Sequence, residues 1–307
     1  MKAPCLSHRA CLRCFTLWSL VLTLSLPLAA GAGFEGKIQN RKVRADASAI
    51  ERVVANTKSS GNSGLVSVPP QRFVDDGGDG IRVETGTLTV KGAWGRAESR
   101  EADSAAGSGV FVLMNFENGD AYACRAERQR CTKTTRAERE AARDHAAEIR
   151  NAVRGVMKDA GLLGTGAGGA AGDSDLGVEA TQRASQVAGT SVTEYRISER
   201  ERVAAAWIAL SLPELASLYK DTLEVFELSG RDLGFTGRAR SAAAEHGLPM
   251  RVVIVEPQRG AAVYRASEIL GFENTAVEPA YVQPPAGWTI ESAREQLEKG
   301  AHSPAAR

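Results

Sequence analysis

From Thr87 to Thr134 short apolar runs alternate with turn residues, a pattern that predicts consecutive antiparallel strands joined tightly. The strongest part is Gly109 to Ala126. Val110 to Met114 is five apolar residues in a row, followed by Phe116, and is rich in β-branched and aromatic types. Glu117-Asn118-Gly119-Asp120 comes next. Asn-Gly at the centre of a two-residue loop favours a type I′ turn, which needs positive φ at both central residues. Such a hairpin sets Asn115 opposite Tyr122, Leu113 opposite Cys124 and Phe111 opposite Ala126. The other face then carries Val110, Val112, Met114 and Phe116. Both faces of this strand are apolar. One must cover a core, and the other must be covered by a helix or line a cavity.

The rest of the chain supplies elements to either side of this stretch. A strand is predicted from Gly33 to about Ala45, then a short helix at Ala49–Asn56 and a flexible Ser/Gly loop at 59–64. Asp75-Asp-Gly-Gly-Asp-Gly has Gly77 at the third position and no Glu at the twelfth, so it reads as a surface loop rather than a calcium loop. Ile81 to Gly92 is a strand whose apolar parity changes at Gly86, which suggests a bulge. Trp94 to Glu101 is a polar strand.

Thr135-Arg-Ala-Glu138 is a capping box opening a helix to about Ala160, with Ala137, Ala141, Ile149, Val153, Val156 and Met157 on one face. Gly161 to Gly177 is a glycine-rich linker or insertion. Val192–Ile197 and Val203–Leu210 predict a second hairpin. Ser211-Leu-Pro-Glu214 caps a helix whose buried stripe is Leu215, Leu218, Tyr219, Thr222, Val225 and Phe226. Met250–Glu256 and Ala261–Ile269 are strands, and Ala276–Val282 is a short one. Trp288 is expected to pack on the domain, and 291–307 forms a short helix and tail.

Before Gly33 the charges are all basic (Lys2, Arg9, Arg13), and Phe15 to Ala32 is apolar without charge. Pro27 breaks the run, and Ala30 and Ala32 are the small residues that a signal peptidase reads before cutting at Gly33. Residues 1–32 thus predict a cleaved signal peptide and a periplasmic product, with an uncleaved anchor the alternative. No cysteine follows the cut, so no lipid anchor is expected. Three of the 38 basic residues and none of the 37 acidic ones are lost with this segment. The near balance that remains gives no electrostatic reason to expect nucleic acid as a partner. Only Cys124 and Cys131 stay in the exported chain, and their spacing fits a disulfide across a tight Glu127-Arg128 turn; two unpaired thiols are the alternative.

No catalytic constellation or metal-ligand set emerges, and no cofactor is expected. The G-x-G-x-x-G at Gly164, Gly166 and Gly169 follows a predicted helix rather than a strand, so it is not a dinucleotide loop. The Gly-Asp-Ser at 172–174 has no strand before it, as a nucleophile turn requires. His145, His246 and His302 are far apart in the chain.

The order of parts is more telling than any one of them. Phe34-Glu-Gly-Lys-Ile opens the exported chain, Val90-Lys91-Gly92 and the Asn-Gly strand follow, and then Tyr122 leads to a basic hairpin. Later come Glu194-Tyr195-Arg196, Ala206-Trp207-Ile208-Ala209, Gly247-Leu-Pro-Met-Arg and Pro285-Ala-Gly-Trp. This order resembles bacterial periplasmic proteins of domain-of-unknown-function family 4412, similar in turn to the LolA and LolB lipoprotein-sorting superfamily. The resemblance implies one α+β domain over 33–290, an open curved antiparallel half-barrel with helices covering its inner face. It implies a non-catalytic protein with an apolar cavity for a lipid chain, lined by Val110, Val112, Met114, Phe116, Trp207, Leu218 and Phe226. Its partners would be a lipid, a lipoprotein or an envelope protein. The aromatic content of 6% is low for a large acyl cavity, so the alternative is a filled core in a structural, interaction or sensor domain.

Overall fold

The computed structural model describes residues 33–55, 62–101, 109–142, 144, 176–227, 234–258 and 261–295, without the side chains of 101 and 224–227. Among these, twelve strands make one sheet. They are β1 (Gly36–Ala45), β2 (Ile81–Lys91), β3 (Trp94–Glu101), β4 (Val110–Asn115), β5 (Ala121–Arg125), β6 (Arg130–Thr134), β7 (Gly177–Val187), β8 (Thr190–Glu199), β9 (Arg202–Ala209), β10 (Leu248–Gln258), β11 (Ala261–Glu273) and β12 (Thr289–Ser292). The order is β12-β6-β5-β4-β3-β2-β1-β11-β10-β9-β8-β7, open at both edges. Strand β1 joins the two halves, pairing β2 on one side and β11 on the other. The pairs are antiparallel except β12 with β6.

Helices α1 (Ala47–Val54), α2 (Asn62–Leu65) and α3 (Pro70–Asp76) form between β1 and β2. Asp46 caps α1, accepting from the Ala49 amide at 3.1 Å and the Ser48 hydroxyl at 2.7 Å. Arg52 of α1 binds Asp76 at the end of α3, which ties the acidic loop down. Residues 136–142 form α4, α5 is Pro213–Glu227, α6 is Phe235–Glu245 and α7 is Pro279–Val282. Among the described residues no helix is long and apolar enough to cross a membrane.

Successive residues of a strand point to opposite faces, and this assigns the helices. Ala205, Trp207 and Val253 belong to a core with Ala49, Ile50, Leu65 and Phe73 of the first helices, Val66 just after α2, and Leu215 and Ala216 of α5. Their neighbours Ala204, Ala206, Ile208, Val252 and Ile254 pack instead with Phe235, Ala239 and Ala243 of α6. The near-continuous apolar sequence of β9 and β10 follows from cover on both sides. Tyr264 links sheet and helices: its hydroxyl donates to the Val68 carbonyl at 2.8 Å and its ring lies 4.2 Å from that of Phe73.

Several expectations need correcting. In the β4–β5 hairpin, Phe111 faces Cys124, Leu113 faces Tyr122 and Met114 faces Ala121. The Asn115 side chain accepts from the amides of Glu117 at 3.0 Å and Asn118 at 3.2 Å, and the Gly119 amide donates to the Asn115 carbonyl. These bonds close a longer loop, in which Gly119 but not Asn118 has positive φ, at 72°. The register slides by two, so every side chain keeps its predicted face.

No bulge occurs at Gly86, since β2 stays in step with both β1 and β3. The irregularity lies between Gln39 and Asn40 in the β1–β11 pairing. Gly86 instead makes room for Asn40, whose Oδ1 would lie 2.5 Å from an added Cβ.

Part of the predicted strand at Ala276–Val282 is the helical turn α7, opened by Pro279, whose fixed φ suits the first helical position. Thr289–Ser292 is a strand, and the helical turn begins only after it, at 293–295. In α4 the capping box forms as predicted, with Thr135 N to Glu138 Oε2 at 2.7 Å and Glu138 N to Thr135 Oγ1 at 3.2 Å. Yet Ala137 and Ala141 are exposed and Arg139 is the buried residue, donating to the carbonyls of Thr134 and Gly119. The predicted continuation of that helix and the linker up to 175 lie outside the described residues, as do the signal segment and the tail beyond 295. Strand β7 and helices α2, α3 and α6 were not predicted, and α2 falls in part on the segment expected to be a flexible Ser/Gly loop.

Candidate functional site

The front strands β3–β6 present two different faces. Residues opposite one another in register share a face, so Arg96, Leu113, Tyr122 and Lys133 line up, as do Glu98, Phe111, Cys124 and Cys131. Cys124 and Cys131 are joined by a disulfide, with S–S 2.05 Å and both residues fully buried. The turn between them is a 3-10 turn at Ala126–Arg128 closed by Gln129.

This face is covered by indoles and by the C-terminal segment. Trp288 packs on Phe111, ring centroids 5.9 Å apart, and Trp94 on Tyr122 at 5.8 Å. The Thr289 amide donates to the Gln129 carbonyl at 3.0 Å, which starts β12 along β6.

The predicted apolar site residues fall elsewhere. Met114 is fully buried, and Val112 and Phe116 pack partly buried against the same core cluster. Trp207 is 7% exposed in that cluster, with the Arg251 guanidinium 5.2 Å from its ring, and Leu218 packs at its border. The side chain of Phe226 lies outside the described set. Of those whose side chains are described, Val110 alone is well exposed, at 44%.

Val110 lines a groove of about 450 Å³ together with Phe111, Arg96, Glu98, Arg100, Thr85 and Thr87. Thr85 pairs with Arg100, and Thr87 with Glu98 and through it Phe111, so these polar groups lie on the face of the disulfide. At one end the Arg96 guanidinium sits between two rings, 3.8 Å from the centroid of Phe111 and 4.3 Å from that of Tyr281. Glu98 Oε1 accepts from Arg96 Nε at 2.9 Å and Nη2 at 2.6 Å, and Glu98 Oε2 from the Tyr281 hydroxyl at 3.0 Å. Burial, chiefly, raises the Tyr281 phenol above its ordinary range and keeps it a hydrogen-bond donor.

The alternation Arg96, Glu98, Arg100 was visible in the polar strand Trp94–Glu101, but nothing in one sequence sets it beside Thr85 and Thr87. A second polar array crosses the helix-covered face. Glu268, buried, pairs with Arg41 at 2.6 Å and Arg251 at 2.5 Å, and Arg41 also donates to Gln71 of α3. His246 stacks on Tyr195, ring centroids 4.8 Å apart. Among the described residues no group of His, Cys, Asp and Glu is placed to hold a metal ion.

No protein-family model matches the chain, and no curated protein matches it. Two solved structures of PNGF-II, in C2 and P21 space groups, overlap 86% of the chain at 10% sequence identity, with TM-scores of 0.32 and 0.28. The chain spans about a third of their length, 32% and 33%. A likeness this weak carries no argument about fold or function.

Proposed function

We propose that this is an exported, non-catalytic protein of the bacterial envelope, built on a LolA-like sheet whose core is filled, and working by contact with other envelope components. Lipid carriage in an apolar cavity is the reading it displaces. One observation carries the choice: Met114 and Trp207, which would line an acyl cavity, are buried in one cluster with residues of α1, α2, α3 and α5. Among the described residues, side chains buried against one another in this way speak against an open acyl cavity between them. Export rests on the basic, apolar and small-residue order of residues 1–32.

The test is titration with Nile red, a neutral apolar dye, combined with mass spectrometry of lipids on protein purified from its native envelope. The expected result is no saturable dye signal and no stoichiometric lipid. One-to-one, lipid-displaceable binding overturns the filled-core reading and restores the carrier.

A further inference from the structure

The groove beside Val110 holds one charge that has no partner among the described residues. Arg96 and Glu98 cancel each other, and Tyr281 takes the remaining oxygen of the carboxylate. Arg100 is exposed and, among the described residues, has no ion pair or hydrogen bond. The hydroxyls of Thr85 and Thr87 are likewise without a side-chain hydrogen bond among the described residues.

Thr85 is directly opposite Arg100, a spacing of about 5 Å between Cβ atoms in a sheet. Thr87 lies two residues along the same face, about 7 Å away. The three groups therefore converge on one end of the cavity. Phe111 supplies an apolar side on the same face, and Val110, at the first position of β4, lies at the rim.

We propose that this groove binds a small organic oxyanion. Its carboxylate or phosphate is taken by the Arg100 guanidinium, with the Thr85 and Thr87 hydroxyls donating, and its short hydrocarbon part lies along Phe111. A guanidinium offers parallel N–H donors that match two oxygens of such a group, and the bond is stronger for being charge-assisted. A volume of about 450 Å³ is in the range of small-molecule sites. The Arg96–Glu98–Tyr281 cluster holds that end of the groove in place, so ligand entry requires no rearrangement of buried charge. This goes beyond the filled-core reading and is independent of it, because Arg100, Thr85, Thr87 and Phe111 lie on the opposite face of the sheet from Met114.

The test is isothermal titration of the purified protein with three probes of equal chain length: hexanoate, hexyl phosphate and the neutral hexanamide. One or both anions bind saturably, and which of them binds tighter tells carboxylate from phosphate as the natural group. Hexanamide binds about tenfold weaker or less. Arg100→Gln weakens the anion by about tenfold or more, while Arg100→Lys keeps part of the affinity. Arg100 is exposed, so circular dichroism of Arg100→Gln should match that of the parent protein. Equal binding of hexanamide, full binding by Arg100→Gln, or no saturable binding of either anion overturns the proposal. Nile red binding unaffected by Arg100→Gln would overturn the filled core and leave the groove standing.

Discussion

Replacing Met114 with alanine tests whether the apolar face of the front strands meets a packed core. Met114 has no exposed surface and sits in the main cluster. Loss of the side chain removes roughly 2 kcal/mol of transfer free energy, at about 0.8 kcal/mol per methylene-sized group. A cavity term adds about 24 cal/mol per Å³ of space that neighbours fail to fill. The sum is about 3 kcal/mol. If Met114 instead faced an existing void, the cavity term would vanish and part of the transfer term with it, leaving less than about 1 kcal/mol. Equilibrium urea unfolding followed by tryptophan fluorescence reads the difference, with the slope expected to stay constant. Met114→Leu, which conserves volume, should cost less than about 1.5 kcal/mol and controls for local disturbance. A loss under about 1 kcal/mol for Met114→Ala, with unchanged slope, refutes the packing argument.

Two further outcomes are expected. The Cys124→Ser/Cys131→Ser protein should unfold about 2.5 kcal/mol more easily, from the loop-closure entropy of a crosslink spanning 7 residues, and an unchanged urea midpoint would mean that the disulfide contributes nothing. Stability should also fall on acidification. The Ser48 hydroxyl and then the Ala49 amide hold the Asp46 carboxyl below its ordinary range, and Arg52 does the same for Asp76. Both groups are depressed in the folded state, so their contribution is present above about pH 4 and is lost as pH falls through the folded values. Asp46→Asn/Asp76→Asn should flatten the dependence of the urea midpoint on pH between about 5 and 3, and an unchanged slope would count against these partners.

Much of the sheet was legible because strand chemistry is local. The runs at Val110–Met114, Val203–Leu210 and Met250–Glu256 announced themselves by β-branched content, and the Thr135–Glu138 box by its spacing. The errors have local causes too. Asn115 offers its side chain to two amides ahead of it, and that competes with the Asn118-Gly119 turn that sequence favours. In α4 the apolar spacing of Ala137 and Ala141 suggested a buried face, but Arg139 has carbonyl acceptors within reach and takes the inward position. Strand β7 was hidden because nearly all of its positions are exposed, so it carries no apolar alternation. The groove was the least legible part, since it depends on pairing β2 with β3 in a particular register.

The doubly apolar character of β4 now has a cause. Val112 and Met114 turn to the main core, while Phe111 and Leu113 turn to a second cluster built on the disulfide and roofed by Trp94 and Trp288. Among the described residues the second cover is the returning C-terminal segment, which the sequence could not place because nothing in its Pro-Ala-Gly-Trp run points to a particular strand. That segment also brings Tyr281 to Arg96 and Glu98, and so completes their mutual neutralisation. The apolar part of the face is therefore covered, its central ion pair is satisfied, and the strand runs on to Arg100, which has no ion pair or hydrogen bond among the described residues. A lid for Phe111 alone needs no guanidinium beside two hydroxyls that lack side-chain partners among the described residues, and this is why the groove, rather than the filled core, is where we place recognition of a small ligand.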